Sequence, residues 1–259
     1  MATPPESITS PEAGLTGQRR GYVLFILVVV YTFNFIDRQI VGILAVPIKA
    51  DLGLSDTQLG LMGGLAFALF YTGLGIPVAM LADRYSRTWI MTGALTAWSA
   101  MTAACGLATN FWQLFLARLG VGVGEAGGVA PAYSLISDYF PPWQRARALS
   151  VYSFGIPIGS ALGIMAGGLI ATLVDWRMAF FAVGIAGIVL APIFRLTVKE
   201  PQRGRFDPVR PERAAPGISE LAACLAHKPS FWMISVAAAC SSMMGYGLFF
   251  WLPSFFVRS

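Results

Sequence analysis

The sequence predicts an all-α membrane protein: a bundle of six transmembrane helices, a polar linker, and a seventh transmembrane helix. Three observations predict it. The chain of 259 residues is 56% hydrophobic and only 12% charged, about half the charge of a soluble domain. Long runs carry no charge at all, at residues 57–82, 88–117, 148–174 and 229–257, and roughly 20 apolar residues span the hydrocarbon core as a helix. Apolar and polar residues do not alternate with the period of two that a membrane barrel requires.

The elements follow in order. Residues 1–18 are rich in Pro, Ser and Thr and are expected to form a disordered tail. No basic segment opens them, so no cleavable signal peptide is expected. The first helix is expected over 21–46 and the second over 57–82, ended by DRYSR. The uncharged run from Thr88 is too long for one span. It is expected to break at Ala108-Thr109-Asn110, before the interfacial pair Phe111-Trp112. The fourth helix then runs to about Ser137, the fifth covers 148–174, the sixth 178–194 and the seventh 231–257. The domain reading is a six-helix bundle over 19–197, a cytoplasmic linker over 198–229, and at 230–259 the first helix of an incomplete second half. Within the linker, Ile218, Leu221, Ala222 and Leu225 recur at helical spacing, which predicts a short amphipathic helix at the membrane surface.

Lys and Arg orient the chain. With the N-terminus in the cytoplasm, 13 basic residues fall inside (Arg19, Arg20, Arg84, Arg87, Arg145, Arg147, Arg195, Lys199, Arg203, Arg205, Arg210, Arg213, Lys228) and 3 outside (Lys49, Arg177, Arg258). The positive-inside rule therefore places the N-terminus in the cytoplasm. It also accounts for the net charge of +5 without nucleic acid as a partner.

Cys105, Cys224 and Cys240 lack metal-ligand spacing and read as packing residues, and the single histidine, His227, reads as a solvated loop residue. GVGEAG at 122–127 matches a dinucleotide fingerprint, but no strand precedes it and it lies inside a span. There is no phosphate-binding loop, H-E-x-x-H or G-x-S-x-G. The expectation is a protein that is not an enzyme and has no cofactor.

Two charges, Asp37 and Arg38, sit side by side deep in the first helix, and Arg118 and Glu125 lie in the fourth. At 1.5 Å per residue, Asp37, Arg38 and Arg118 all fall roughly 12–14 Å below the outer membrane surface. Arg118 and Glu125 are nearly two turns apart and share a face, as do Asn34 and Arg38. Two acids and two bases can therefore converge between the helices. Charge at the bilayer centre costs at least a few kcal/mol per group and marks function by default. A static ion-pair cluster is the alternative. On the functional reading, Asp37 or Glu125 carries a proton by alternating between paired and unpaired states. Arg38 or Arg118 then binds that carboxylate or an anionic group of a substrate.

Gly155, Gly159, Gly163 and Gly167 recur every four residues in the fifth helix, with Pro157 as an expected kink. They read as a helix-packing groove, or as a sliding surface awaiting a moving neighbour. Gly60, Gly64 and Ala68 repeat the theme in the second helix.

The turn LADRYSR resembles the G-x-L-x-D-R-x-G-R motif of the major facilitator superfamily, with Ala79 and Ser86 at its glycine positions. Asp83 is expected near the start of the third helix, where the dipole favours an acid. With Arg84, Arg87, Arg145 and Arg147 it would form a gating latch, the alternative being plain topology anchors. NFIDRQIVGIL and ARLGVGVGEAGGVAPAYSLISDYFPPWQRARALSVY resemble the spinster-like branch, from about Arg20 onward. The resemblance implies a secondary active transporter with its proton and substrate centre at Asp37, Arg38 and Glu125. Its expected partners are the lipid bilayer, protons and an amphiphilic or organic anion of lysolipid or sphingoid-phosphate type. It implies the plasma membrane of a bacterium. It also implies two six-helix halves, so the chain reads as a fragment whose C-terminal half comes from the same gene or a partner chain. The alternative is a non-transporting membrane protein or a half-transporter.

Overall fold

The computed structural model describes residues 17–207 and 218–258. The tail reading for 1–16 and the basic linker residues Arg210 and Arg213 lie outside them. The described residues are helical, with no strand among them. In order they form α1 (Gly17–Ile43), α2 (Ala45–Leu52), α3 (Asp56–Gly60), a π-helical turn (Leu61–Leu65), α4 (Ala66–Arg84), α5 (Arg87–Cys105), α6 (Phe111–Glu125), α7 (Val129–Tyr139), α8 (Pro142–Ser153), α9 (Gly155–Leu173), α10 (Trp176–Thr197), α11 (Ile218–Ala226) and α12 (Pro229–Arg258). Residues through Phe206 form one compact unit, and those from Asp207 form a second that contains α11 and α12.

Five segments among the described residues are long and apolar enough to cross a membrane: Gly17–Ile43, Asp56–Arg84, Pro142–Leu173, Trp176–Thr197 and Pro229–Phe256. The other two expected spans differ for separate reasons. α5 has a polar stripe, and its Thr88, Ser99 and Thr102 are buried against neighbouring helices. The fourth span, expected to be continuous, is broken between α6 and α7. There the Gly127 and Gly128 amides bond three residues back, to the carbonyls of Gly124 and Glu125. Pro131 offers no amide to continue the ladder onto Gly127. Pro157 acts similarly in the fifth span, where α8 gives way to α9 at Phe154.

The glycine groove of α9 is not waiting for a neighbour. α1 fills it. A Cβ on Gly155 would lie 3.0 Å from Tyr31, and one on Gly159 would lie 2.4 Å from the Thr32 carbonyl oxygen. On Gly163 it would lie 2.9 Å from the Ile36 oxygen, and on Gly167 3.0 Å from Ile40. Gly124 plays the same part between α6 and α5, where a Cβ would meet the Trp98 amide at 2.6 Å. Glycine permits this backbone approach. It brings α6 close enough for its charges to reach α1. In the second helix, Gly64 faces no neighbour within 4 Å.

At the end of the bundle that holds the α4–α5 turn, the chain after α10 folds back over the helix ends. Glu200 accepts hydrogen bonds from the Thr88 amide (2.9 Å), Ser86 Oγ (2.9 Å) and Arg87 Nε (2.7 Å). Its carboxylate thus meets one of the orphan amides that open α5. Arg203 donates to the carbonyls of Ala82 (2.8 Å), Tyr85 (2.5 Å) and Asp83, which close α4. Tyr139 Oη donates to the Lys199 carbonyl at 2.5 Å, and the Gly204 amide donates to Asp138 Oδ1 at 3.0 Å. A nine-residue strap therefore caps two helices and ties down α7.

Burial alone would raise the Glu200 pKa, but the Thr88 amide, Arg87 and Ser86 outweigh it and hold the carboxyl below its ordinary value. A depressed folded-state pKa adds stability above the unfolded value, and that stability is lost as pH falls through the folded value. Glu200→Gln is therefore expected to lower unfolding stability by roughly 1–2 kcal/mol at neutral pH. The deficit should close in acid, below the ordinary Glu range. Thermal unfolding followed against pH checks this, and an equal deficit at all pH values would contradict it.

Candidate functional site

The four membrane-embedded charges come together as two ion pairs. Arg38 Nε lies 2.7 Å from Glu125 Oε2. Arg118 Nη1 lies 3.3 Å from both Asp37 Oδ1 and Asp37 Oδ2. Adjacent residues of α1 thus each take a partner of opposite sign from α6. Because Arg118 and Glu125 are seven residues apart, roughly 10 Å along the axis, the pairs sit at different depths. Ionised, the four charges sum to zero, which lowers the cost of burying them.

Exposure separates their roles. Glu125, Asp37 and Arg118 are 0%, 1% and 4% exposed, while the Arg38 side chain keeps 11%. Arg38 also faces two rings, Tyr71 of α4 at 4.6 Å and Phe35 at 5.2 Å. A guanidinium held on aromatic faces retains its charge and its outward donors. The Glu125 Oε1 atom is buried and has no hydrogen-bond partner.

Asn34, one turn before Arg38, is 3% exposed, and its Oδ1 has no partner. It borders a small cavity lined also by Val30, Tyr31, Trp98, Gly128 and Tyr152. Tyr31 stacks on Tyr152 at 4.3 Å, and Tyr133 meets Tyr152 edge-on at 5.7 Å. A buried amide and three tyrosines thus gather around a water-sized cavity near the charge pairs.

Sequence reasoning missed Thr102, whose hydroxyl lies 2.9 Å from Asp37 Oδ1 and 2.9 Å from the Trp98 carbonyl oxygen. The signal was present: Thr88, Thr92, Ser99 and Thr102 recur at helical spacing along α5. Tyr71 was also missed, and nothing local marks it among the aromatic residues of α4.

The latch residues do not come together as expected. Asp83 lies in the last turn of α4, not at the start of the next helix, and it is exposed. The helix that follows is capped by Ser86 instead. Arg84 and Arg147 are exposed. Arg145 Nε donates to the carbonyls of Ser137 (3.0 Å) and Phe140 (3.2 Å), around the end of α7. Only Arg87 enters a buried cluster, 1% exposed, with Asp138, Glu200 and Ser134 Oγ (2.9 Å). Asp138 and Glu200, which sequence reasoning did not select, are its acidic partners.

With this geometry described, comparison with known proteins places the chain. The sequence profile of the Major Facilitator Superfamily matches residues 27–259. An "MFS-type efflux pump" of Mycolicibacterium smegmatis is 36% identical over 260 residues, which is all of this chain and 60% of that protein. "Protein spinster homolog 1" of Homo sapiens is 32% identical over 252 residues, or 95% of this chain and 47% of that protein. A crystal structure of a bacterial homolog to the human lysosomal transporter Spinster, inward-facing and occupied, superposes with a TM-score of 0.83 at 39% identity. That match covers 94% of this chain and 55% of the solved one. The chain spans about half the length of the relatives it matches.

Proposed function

The chain belongs to the major facilitator superfamily, and we propose that it acts as the N-terminal part of a proton-coupled secondary transporter. The observation that carries this reading is the crossed double pair, Arg38–Glu125 and Arg118–Asp37. Such a centre changes its net charge only by taking up a proton or an ion. A proton on either acid frees its arginine to attract an anion. Arg38 suits that second task, because it alone of the four retains appreciable exposure and is framed by Tyr71 and Phe35. The surroundings of the centre are apolar and aromatic, so the substrate that fits is an amphiphilic organic anion of lysolipid or sphingoid-phosphate character. The spinster-type relatives support the same class by analogy.

The cycle is alternating access, in which this six-helix bundle rocks against a second one. The protein resides in a bacterial plasma membrane with its N-terminus in the cytoplasm, a reading supported by the distribution of Lys and Arg. The strap around Arg87, Asp138 and Glu200 then lies on the cytoplasmic side and holds the helix ends through the cycle.

Flux by the full-length gene product in proteoliposomes tests the proton role. Asp37→Asn and Glu125→Gln are each expected to lower the rate at least tenfold, and the variant that lacks the proton carrier is expected to lose the pH dependence of flux as well. Intact, pH-dependent flux in both variants would eliminate these carboxylates as proton carriers.

A further inference from the structure

The hydroxyl of Thr102 lies at hydrogen-bond distance from two acceptors at once. Asp37 Oδ1 and the Trp98 carbonyl oxygen are each 2.9 Å from its Oγ1. A hydroxyl carries one hydrogen and two lone pairs, so it can donate to only one of them. One hydrogen shared between two acceptors makes two weakened three-centre bonds, so two full hydrogen bonds among these three oxygens need two hydrogens. Threonine supplies one. The second contact is a full hydrogen bond only when Asp37 Oδ1 carries a proton. In that state the chain is complete: the Asp37 O–H donates to Thr102 Oγ1, and the Thr102 hydroxyl donates to the Trp98 carbonyl. When Asp37 is ionised, the Thr102 hydrogen turns to the carboxylate instead. Rotation about one bond serves both states.

The rest of the surroundings fit this. The groups facing Asp37 are Thr102 and Cys105 from α5, and Arg118 and Glu125 from α6. Arg38, on its own helix, is engaged with Glu125. Arg118 approaches both carboxylate oxygens of Asp37 at 3.3 Å, longer than a tight charge-assisted bond of about 2.7–2.9 Å. Oδ1 can therefore accept a proton while Oδ2 keeps its contact with Arg118. Arg38, at 2.7 Å from Glu125 Oε2, forms a shorter pair. Thr102 is 1% exposed.

We propose that Thr102 is the positioning residue for the proton-binding step, holding neutral Asp37 by accepting from its Oδ1–H and passing its own hydrogen to the Trp98 carbonyl. This rests on the proton-coupled reading and selects Asp37 over Glu125 as the carrier. No covalent bond of threonine breaks. The proton arrives on Asp37, Arg118 stays charged, and the site gains one positive charge.

Infrared spectroscopy of the full-length protein, labelled with carboxyl-13C aspartate and titrated with acid, tests it. A protonated carboxyl band that is absent from Asp37→Asn belongs to Asp37. In Thr102→Val, which keeps the shape and removes the hydroxyl, that band is expected to move to higher wavenumber as the carboxyl loses its acceptor. Thr102→Ser is expected to restore its position. If the valine variant does not fold, Thr102→Ala removes the same hydroxyl. An Asp37 band that stays in place without the hydroxyl overturns the role of Thr102 and leaves the proton reading standing. The absence of any Asp37 band at every pH at which the protein is folded overturns both the role of Thr102 and the choice of Asp37, and leaves Glu125 as the carrier under the proton reading.

Discussion

Arg118→Ala is expected to cost about 3–5 kcal/mol of stability, the penalty for leaving one partner of a buried ion pair behind. Asp37 is 1% exposed, and both its carboxylate oxygens face Arg118. The remaining nearby cation, Arg38, is engaged with Glu125 at 2.7 Å and cannot serve both acids without leaving one. The truncated protein must therefore bury an uncompensated carboxylate. Combining Arg118→Ala with Asp37→Asn removes the stranded charge and should recover most of the loss, so the two substitutions will be strongly non-additive. Thermal unfolding in detergent of the single and double variants measures this. Equal, additive and small losses would show that the pair is not buried as described.

Gly159→Val should be nearly as damaging without touching a charge. Its Cβ would lie 2.4 Å from the Thr32 carbonyl oxygen and 2.7 Å from the Phe35 Cβ. The obstacle is backbone and a short stem, not the flexible end of a side chain. α9 and α1 must separate, at a cost at or above the upper end of the roughly 1–3 kcal/mol typical of overpacking. Thr32 lies about one and a half turns before Asp37 and Arg38, so the displacement reaches the charge centre, and transport should fall along with stability. Gly168→Ala is the control on the same helix. Its Cβ would lie 3.5 Å from Ile43, an ordinary contact, and alanine favours the helix by up to about 1 kcal/mol. Loss of stability in both variants alike would show that α1 does not seat in this groove.

These expectations show what the sequence carried and what it did not. The helical membrane architecture was readable because long uncharged runs have few other solutions. Asp37, Arg38, Arg118 and Glu125 stood out because charge is rare in such runs. Their pairing was not readable. Spacing along each helix fixes which residues share a face, but which acid meets which base depends on the axial register between α1 and α6. Close packing of Gly124 on the Trp98 backbone sets how closely α6 approaches the rest of the bundle.

The break after Glu125 was hidden because small apolar residues continue through it, and Pro131 was its only local mark. The place of Asp83 was misjudged for a different reason. Asp83, Arg84 and Arg87 form one polar turn, and the helix boundary within it falls at Tyr85 and Ser86, after the acid. Arg87 read as one of several latch residues facing the cytoplasm, yet it is 1% exposed. It is enclosed by Asp138 and Ser134 of α7 and by Glu200 and Pro201, the last two more than a hundred residues away. No local pattern says where a polar linker will fold back.

The central claim is that the two crossed pairs couple movement of an anion to movement of a proton. An imposed pH gradient across proteoliposomes holding the full-length gene product tests it most directly, with an amphiphilic phosphate or carboxylate as the probe. The account predicts that the gradient drives accumulation of the probe against its own concentration difference, and that a protonophore or Asp37→Asn abolishes this. Transport that proceeds at the same rate and to the same level with and without the gradient would contradict it.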